Sequence, residues 1–339
     1  MGICRQGLFL AGRAGESGRA VAIDPLWWPA FYSAADLAWE MGYREESAAY
    51  VRRVEEAAQP PSEAHMVRGD MAWRRGDYSR VVEEMQKAWL AAPAERRFFA
   101  ELGLGRALRA AGRHDEAARN WLRYPVDPVL LAMWKGKAPS PAATSAFIAD
   151  APAIWNQEDH IHFLLSTLQS EGRTAEIARL FDARFASPEA MAREVGPNSR
   201  FIALATLVAV GLRDAGRAEE AGRLLTLASD AAAGIEAHGP VPLQHARAHA
   251  GLLAAMGERE AAIRVLERAH ARGFFYNGYH DSFGDMAQDP AFLPIRGDPR
   301  FQHIRRAHLA HVAREAREIA ALRLDPTLAA RFGLGNPPI

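Results

Sequence analysis

Behind Gly216 and Gly257 the small and apolar residues fall at matching distances: Ala221, Leu225 and Ala228 follow the first, and Ala262, Leu266 and Ala269 follow the second. Steps of four and three put such residues on one face of an α-helix, the face that packs against a neighbour. A helical period runs before and after glycine at six places: Gly42, Gly76, Gly112, Gly172, Gly216 and Gly257. The local strings are MGYREESA, RGDYSRVV, AGRHDEAA, EGRTAEIA, AGRAEEAG and MGEREAAI. Each reads as the end of one helix, a turn at glycine and the polar start of a second helix. A tight antiparallel helix pair needs a turn residue that accepts positive φ. Ala117, Ala221 and Ala262, each five residues past its glycine, give the second helix a small face towards the first. The pattern predicts an all-α fold of about six to seven helix pairs.

Successive turn glycines are 34, 36, 60, 44 and 41 residues apart. In the segment 62–95, Gly69 stands seven residues before Gly76, Tyr78 follows the turn, and Ala88 and Pro93 close the unit. With its 34-residue period this segment resembles the tetratricopeptide repeat family. The next unit carries Leu104 and Gly105 before Gly112, and Ala117 and Trp121 after it, while Phe31, Ala35, Gly42 and Pro60 fit the same scheme more loosely upstream. Later copies keep the second helix better than the first, as in Ile177 and Phe181 behind Gly172. The resemblance is closest over 26–124 and looser over 157–272. It implies a right-handed α-α superhelix, a tetratricopeptide-like solenoid, whose first helices line a concave groove that binds a protein partner.

Residues 1–25 then read as a partial repeat or N-terminal cap. Too short for a helix-turn-helix or a catalytic module, they leave any regulatory role to contact. Residues 125–156 form a connector in which Pro125, Pro128, Pro139, Pro141 and Pro152 exclude a regular helix pair. One short helix at 129–134 and a hinge between two halves are expected there. Residues 273–339 form a tail: an aromatic turn at 273–279, proline-marked starts at Pro290 and Pro299, and a long final helix to about 322 expected to cap the last repeat. The wording DPAFLPIRGDPRF is similar to the tail behind the last repeat of bacterial tetratricopeptide proteins, including those fused to DNA-binding activator or cyclase domains.

Composition narrows the function classes. Mean hydropathy is −0.19. No apolar run approaches the length that a helix needs to cross a bilayer, so a membrane-spanning segment is not expected and a cytoplasmic location follows. The single cysteine, Cys4, can form no internal disulfide or Cys-rich zinc site. Forty-one basic side chains balance 41 acidic ones, which gives no broad attraction to nucleic acid or an anionic membrane. Only Lys87, Lys135 and Lys137 are lysines, so 38 of the basic residues are arginines. Such a bias can reflect a GC-rich genome, and Arg clusters are discounted accordingly.

Register places Tyr32, Asp36, Trp39 and Glu40 beside Asp70, Trp73 and Arg74, and then Arg106 and Arg109, on the inner face. Trp39 and Trp73, one repeat length apart, are expected to anchor a partner segment, with arginines reading its acidic groups. The alternative is that both tryptophans pack between repeats. Asp36 and Asp70 stand where a carboxylate-clamp repeat would carry Asn, so a clamp of that kind is not expected.

Catalytic signatures are sparse. His245 and His249 are spaced i and i+4, and His308, His311 and Glu315 share a face of the last helix, yet no His-Glu-x-x-His motif occurs. These histidines read as core or solvated, with no metal or other cofactor expected. Gly103-Leu-Gly105 is helix packing and not a phosphate loop, and no Gly-x-Ser-x-Gly elbow is present. Glu45-Glu46, Glu55-Glu56, Glu83-Glu84 and Glu219-Glu220 read as the solvated outer face of second helices. A non-catalytic protein-protein interaction module is therefore expected. The competing readings are a regulatory module of a transcription or cyclase system, and a metal-dependent or carbohydrate-active helical enzyme whose only inner carboxylate pair is Asp36 and Asp70.

Overall fold

The computed structural model describes residues 28–58, 61–122, 131–132, 135, 139–149, 155, 158–237, 241–273 and 285–334. The expected N-terminal cap, most of the expected helix at 129–134 and the aromatic turn after Gly273 lie outside the described residues. Among the described residues the chain is all-helical, without strands, and no helix is long and apolar enough to cross a membrane.

Six helix pairs account for most of it. They are α1 (Trp28–Met41) with α2 (Arg44–Ala57), α3 (Pro61–Arg75) with α4 (Tyr78–Ala91), and α5 (Arg97–Ala110) with α6 (His114–Trp121). After α7 (Pro141–Ala149) come α8 (Glu158–Ser170) with α9 (Thr174–Asp182), α10 (Pro188–Val195), α11 (Ser199–Asp214) with α12 (Ala218–Ala237), and α13 (Leu243–Ala255) with α14 (Arg259–Ala271). Two further helices, α15 (Pro299–Ala321) and α16 (Pro326–Phe332), end the chain. Within each half, first helices also touch the first helix of the next pair, as α1 does α3 and α11 does α13.

One device closes all six pairs. At Gly76 (φ 74°) the glycine N–H donates to the Trp73 carbonyl, and the Asp77 N–H reaches back to the Ala72 carbonyl, each at 3.0 Å. These two hydrogen bonds satisfy carbonyls that a helix end would otherwise leave open, and the left-handed residue between them is cheap only as glycine. The same pair of bonds recurs at Gly42, Gly112, Gly172, Gly216 and Gly257, with φ between 70° and 89°. The second helices start in a repeated way too. Arg113, Arg173 and Arg217, each next to its glycine, donate to Glu116, Glu176 and Glu220 three residues on. A carboxylate in the first turn also faces the positive end of the helix dipole.

Departures from the 34-residue period have visible causes. Between Gly172 and Gly216 the chain inserts α10, whose start is fixed by the Ser187 side chain accepting from the Ala190 N–H and by Pro188 in the first turn. Between Gly216 and Gly257, α12 runs for 20 residues, where α4 has 14. Close approach of helices sets other glycines: a Cβ on Gly211 of α11 would lie 2.5 Å from the Ile177 Cβ of α9 and 3.0 Å from the Thr174 carbonyl.

The chain divides into two compact units. One takes the described residues from 139 to 306. Its main core joins Trp155, Leu164, Ile177, Phe181, Phe201, Val208 and Leu224, and a second cluster joins Ile263, Leu266, Phe292 and Phe301. Full burial of each large side chain contributes about 2–3 kcal/mol. The other unit takes the described residues from 28 to 135 with those from 307 to 334. Its first pair packs Phe31, Ala35 and Val54 against Val67 and Met71 of α3.

Two sequence expectations change here. The final helix is not simply a solvated cap. Phe301 and Ile304 at its start do pack on the last pair through Ile263 and Leu266, but His308, His311 and Glu315 are buried within the unit built on the first three pairs. His311 Nε2 lies 2.7 Å from the Gly76 carbonyl, and Glu315 accepts the Ser79 N–H at 3.0 Å, at the start of α4. The face that reads as a metal-ligand spacing is a docking face, because the open amide of a helix N-terminus needs an acceptor. Nor does Glu84 lie on a solvated outer face: its side chain is 1% exposed, within reach of His65, Arg68, Arg80 and Lys87.

Candidate functional site

Helices α1 and α3 carry most of the residues that register placed on one face, and the fold brings them together. The Tyr32 hydroxyl donates to Asp70 Oδ2 at 3.0 Å. Arg74 meets Asp36 at 2.8 Å through Nε and Glu40 at 3.2 Å through Nη1. Trp39 Nε1 donates to the Arg74 carbonyl at 3.2 Å, and the Arg44 guanidinium lies 3.4 Å from the centre of the Trp39 ring. The bonds between the two helices each span close to one repeat length of sequence, so they join equivalent turns of neighbouring first helices.

Electrostatics follow from half-burial of paired charges. Burial pushes the Asp70 carboxyl above its ordinary value, against the pull of Arg106 and of the Tyr32 hydrogen bond. Tyr32 is held well above its usual range, by burial first and then by the negative charges of Asp70 and Asp36. Burial works against the Arg74 charge, but Asp36 and Glu40 outweigh it, and the guanidinium holds its proton more tightly than usual. The network locks α1 onto α3. With Asp36 bound to Arg74 and Asp70 to Tyr32, the inner carboxylate pair is engaged in holding the helices.

The two tryptophans are not equivalent in exposure. Trp73 is 8% exposed and packs on Tyr78, with ring centres 5.6 Å apart, so it belongs to the core and offers no face to a partner. Trp39 keeps part of its surface open beneath Arg44, with Arg75 5.1 Å from the ring. Arg109 is buried, and Arg106 is half-buried near Asp70.

A second feature escapes register reasoning. A cleft of about 530 Å³ opens between α3, α4 and α5, lined by Ser62, Met66, Ala88, Ala92, Phe99 and Ala100. Phe99 is 55% exposed at its edge, and Arg96 pairs with Glu63 at 2.9 Å beside it. The sequence signal was present in Phe98-Phe99 at the start of a first helix, where an apolar pair exceeds what one buried face needs.

No protein-family model matches this chain, and a search of curated proteins finds no match.

Proposed function

We propose that this chain is a non-catalytic protein-protein interaction module of the tetratricopeptide kind, acting in the cytoplasm. The observation that carries this reading is the identical glycine closure of all six helix pairs, at the positions the repeat pattern assigns. Stacked helix pairs expend their side chains on their neighbours and leave clefts between first and second helices as binding surfaces. On this reading a partner segment seats a bulky apolar side chain beside Phe99 and Met66, with Arg96 and Glu63 meeting its polar flank. Trp39, stacked under Arg44, remains the second contact of the same unit. Trp73 and the engaged carboxylates drop out as direct contacts.

The test is a photo-crosslinking residue at position 99 in cells, followed by titration of the purified crosslinked partner against wild type and Phe99→Ala. Because Phe99 is exposed, its truncation leaves the helical signal unchanged. A loss of about 1–3 kcal/mol, roughly 5- to 150-fold in affinity, is expected. Equal affinity of the variant would remove the cleft from the reading, and absence of any specific crosslink at both 99 and 39 would sink the interaction module.

A further inference from the structure

Three side chains from two helices converge at one end of the α12–α13 connection. Glu236 stands in the last turn of α12, and His245 and His249 lie one turn apart on α13. One donor atom of each lies within 4.8 Å of the other two. His249 Nδ1 is 2.8 Å from Glu236 Oε1, and the two imidazole rings are 5.5 Å apart.

The environment of His245 is what a repeat core does not explain. Its side chain is fully buried, and Nδ1 meets the Ser199 hydroxyl of α11 at 3.1 Å. Nε2 is buried without a hydrogen bond among the described residues. A buried imidazole nitrogen left unsatisfied forfeits its bond to water with nothing in return, and cores normally avoid it. A hydroxyl fixing one ring nitrogen while the other is left free is the arrangement that orients a metal-bound histidine.

We propose that Glu236, His245 and His249 form a binding site for a divalent transition cation of the zinc class. Two imidazoles and one carboxylate are donors that suit such an ion. At bond lengths of about 2.0–2.2 Å, tetrahedral ligand atoms stand roughly 3.3–3.5 Å apart. The 2.8 Å His249–Glu236 contact thus opens by little more than half an ångström as the ion replaces their shared proton. Three protein ligands leave one coordination position of a tetrahedral ion for water or a group from solution.

The experiment uses the full chain without a histidine tag, stripped with chelator and titrated with Zn²⁺ and then Co²⁺. One equivalent of Zn²⁺ is expected to bind and raise Tm, and Co²⁺ is expected to give the visible absorption of a low-coordinate nitrogen and oxygen site. Glu236→Gln, at an exposed position, and His249→Ala, at a half-buried one, should each weaken binding at least 100-fold in protein that keeps its helical signal, and Ser199→Ala by about 10-fold through the ring it orients. His270→Ala, whose ring lies 6.5 Å from that of His303 and outside the cluster, should bind as wild type does. Sub-stoichiometric binding, or binding that survives His249→Ala and Glu236→Gln unchanged, overturns the proposal.

Discussion

Arg68 Nε donates to Glu84 Oε2 at 2.9 Å, from the first helix of a pair to the second, into a carboxylate that is almost wholly removed from solvent. His65 lies 2.8 Å from the same oxygen, and Arg80 and Lys87 reach the other at 2.7 and 3.1 Å. Burial alone would favour the neutral acid. The hydrogen bonds from His65, Arg68 and Lys87 outweigh it and hold the Glu84 carboxyl down to about 2.

That depression fixes the sign of an acid effect. A folded-state value of about 2 below an ordinary 4.5 means that the unfolded chain binds the proton first. The contribution is complete above pH 4.5 and is lost as pH falls towards 2, to the extent of about 3 kcal/mol. Glu84→Gln should lower stability at pH 7 by about 2–4 kcal/mol and flatten this acid limb. Urea midpoints at pH 7, 4.5 and 3 measure both, and parallel pH curves for the variant and wild type would refute the assignment.

Helix approach makes opposite predictions for two glycines. At Gly211 an added methyl meets the Ile177 Cβ and a backbone carbonyl, neither of which can swing away. Gly211→Ala should cost about 1–3 kcal/mol. Gly222 on α12 has nothing within 4 Å of its Cβ position, so Gly222→Ala should stabilise by about 0.5–1 kcal/mol through helix propensity. Denaturant melts of the two variants suffice, and equal shifts would mean that α9 and α11 do not pack as described.

Turn positions were legible from sequence because a left-handed helix end admits little besides glycine, and the polar start that follows it is local. Residues 32, 36, 39, 40, 70 and 74 could be placed beside one another because the 34-residue period holds over the first two pairs. The state of their side chains could not. Trp39 and Trp73 occupy the same register, yet Trp73 is covered by Tyr78, against which His311 also packs with ring centres 5.7 Å apart. The helix carrying His311 comes from the far end of the chain. Glu84 misled for a related reason. A polar residue on a second helix is ordinarily solvated, but Glu84 collects partners from α3 and its own helix. Such neutralisation is set by tertiary packing, which no local pattern encodes.

The return of the chain end onto the first three pairs can be probed at Glu315. Its carboxylate accepts the Ser79 N–H, and Glu318 accepts from the Ser79 hydroxyl at 3.1 Å, both at the positive end of α4. Further along, the Asp325 N–H donates to Gln86 at 2.6 Å, and Phe332 is fully buried. Glu315→Ala should cost about 1–3 kcal/mol and speed amide exchange across 307–332 while leaving 199–271 unchanged. Uniform exchange in both stretches would show that α15 and α16 are not docked through this contact.

Buried His245 supplies an acid effect in a window separate from that of Glu84. Desolvation, assisted by His249, brings its folded value down to about 4 from an ordinary 6.5. In metal-free protein, both states are neutral above pH 6.5, and stability there is unaffected. As pH falls from 6.5 towards 4 the unfolded chain takes up the proton first, so stability declines by about 3 kcal/mol and then levels. Glu84 contributes only below 4.5, so between 6.5 and 4.5 the difference between wild type and a variant without the imidazole isolates His245 from other carboxyls such as Asp70, whose value burial raises. Urea midpoints of chelator-treated protein across that window should fall more steeply for wild type than for His245→Asn. A wild-type slope retained in the variant would mean that another group titrates there and that His245 is not held neutral by burial.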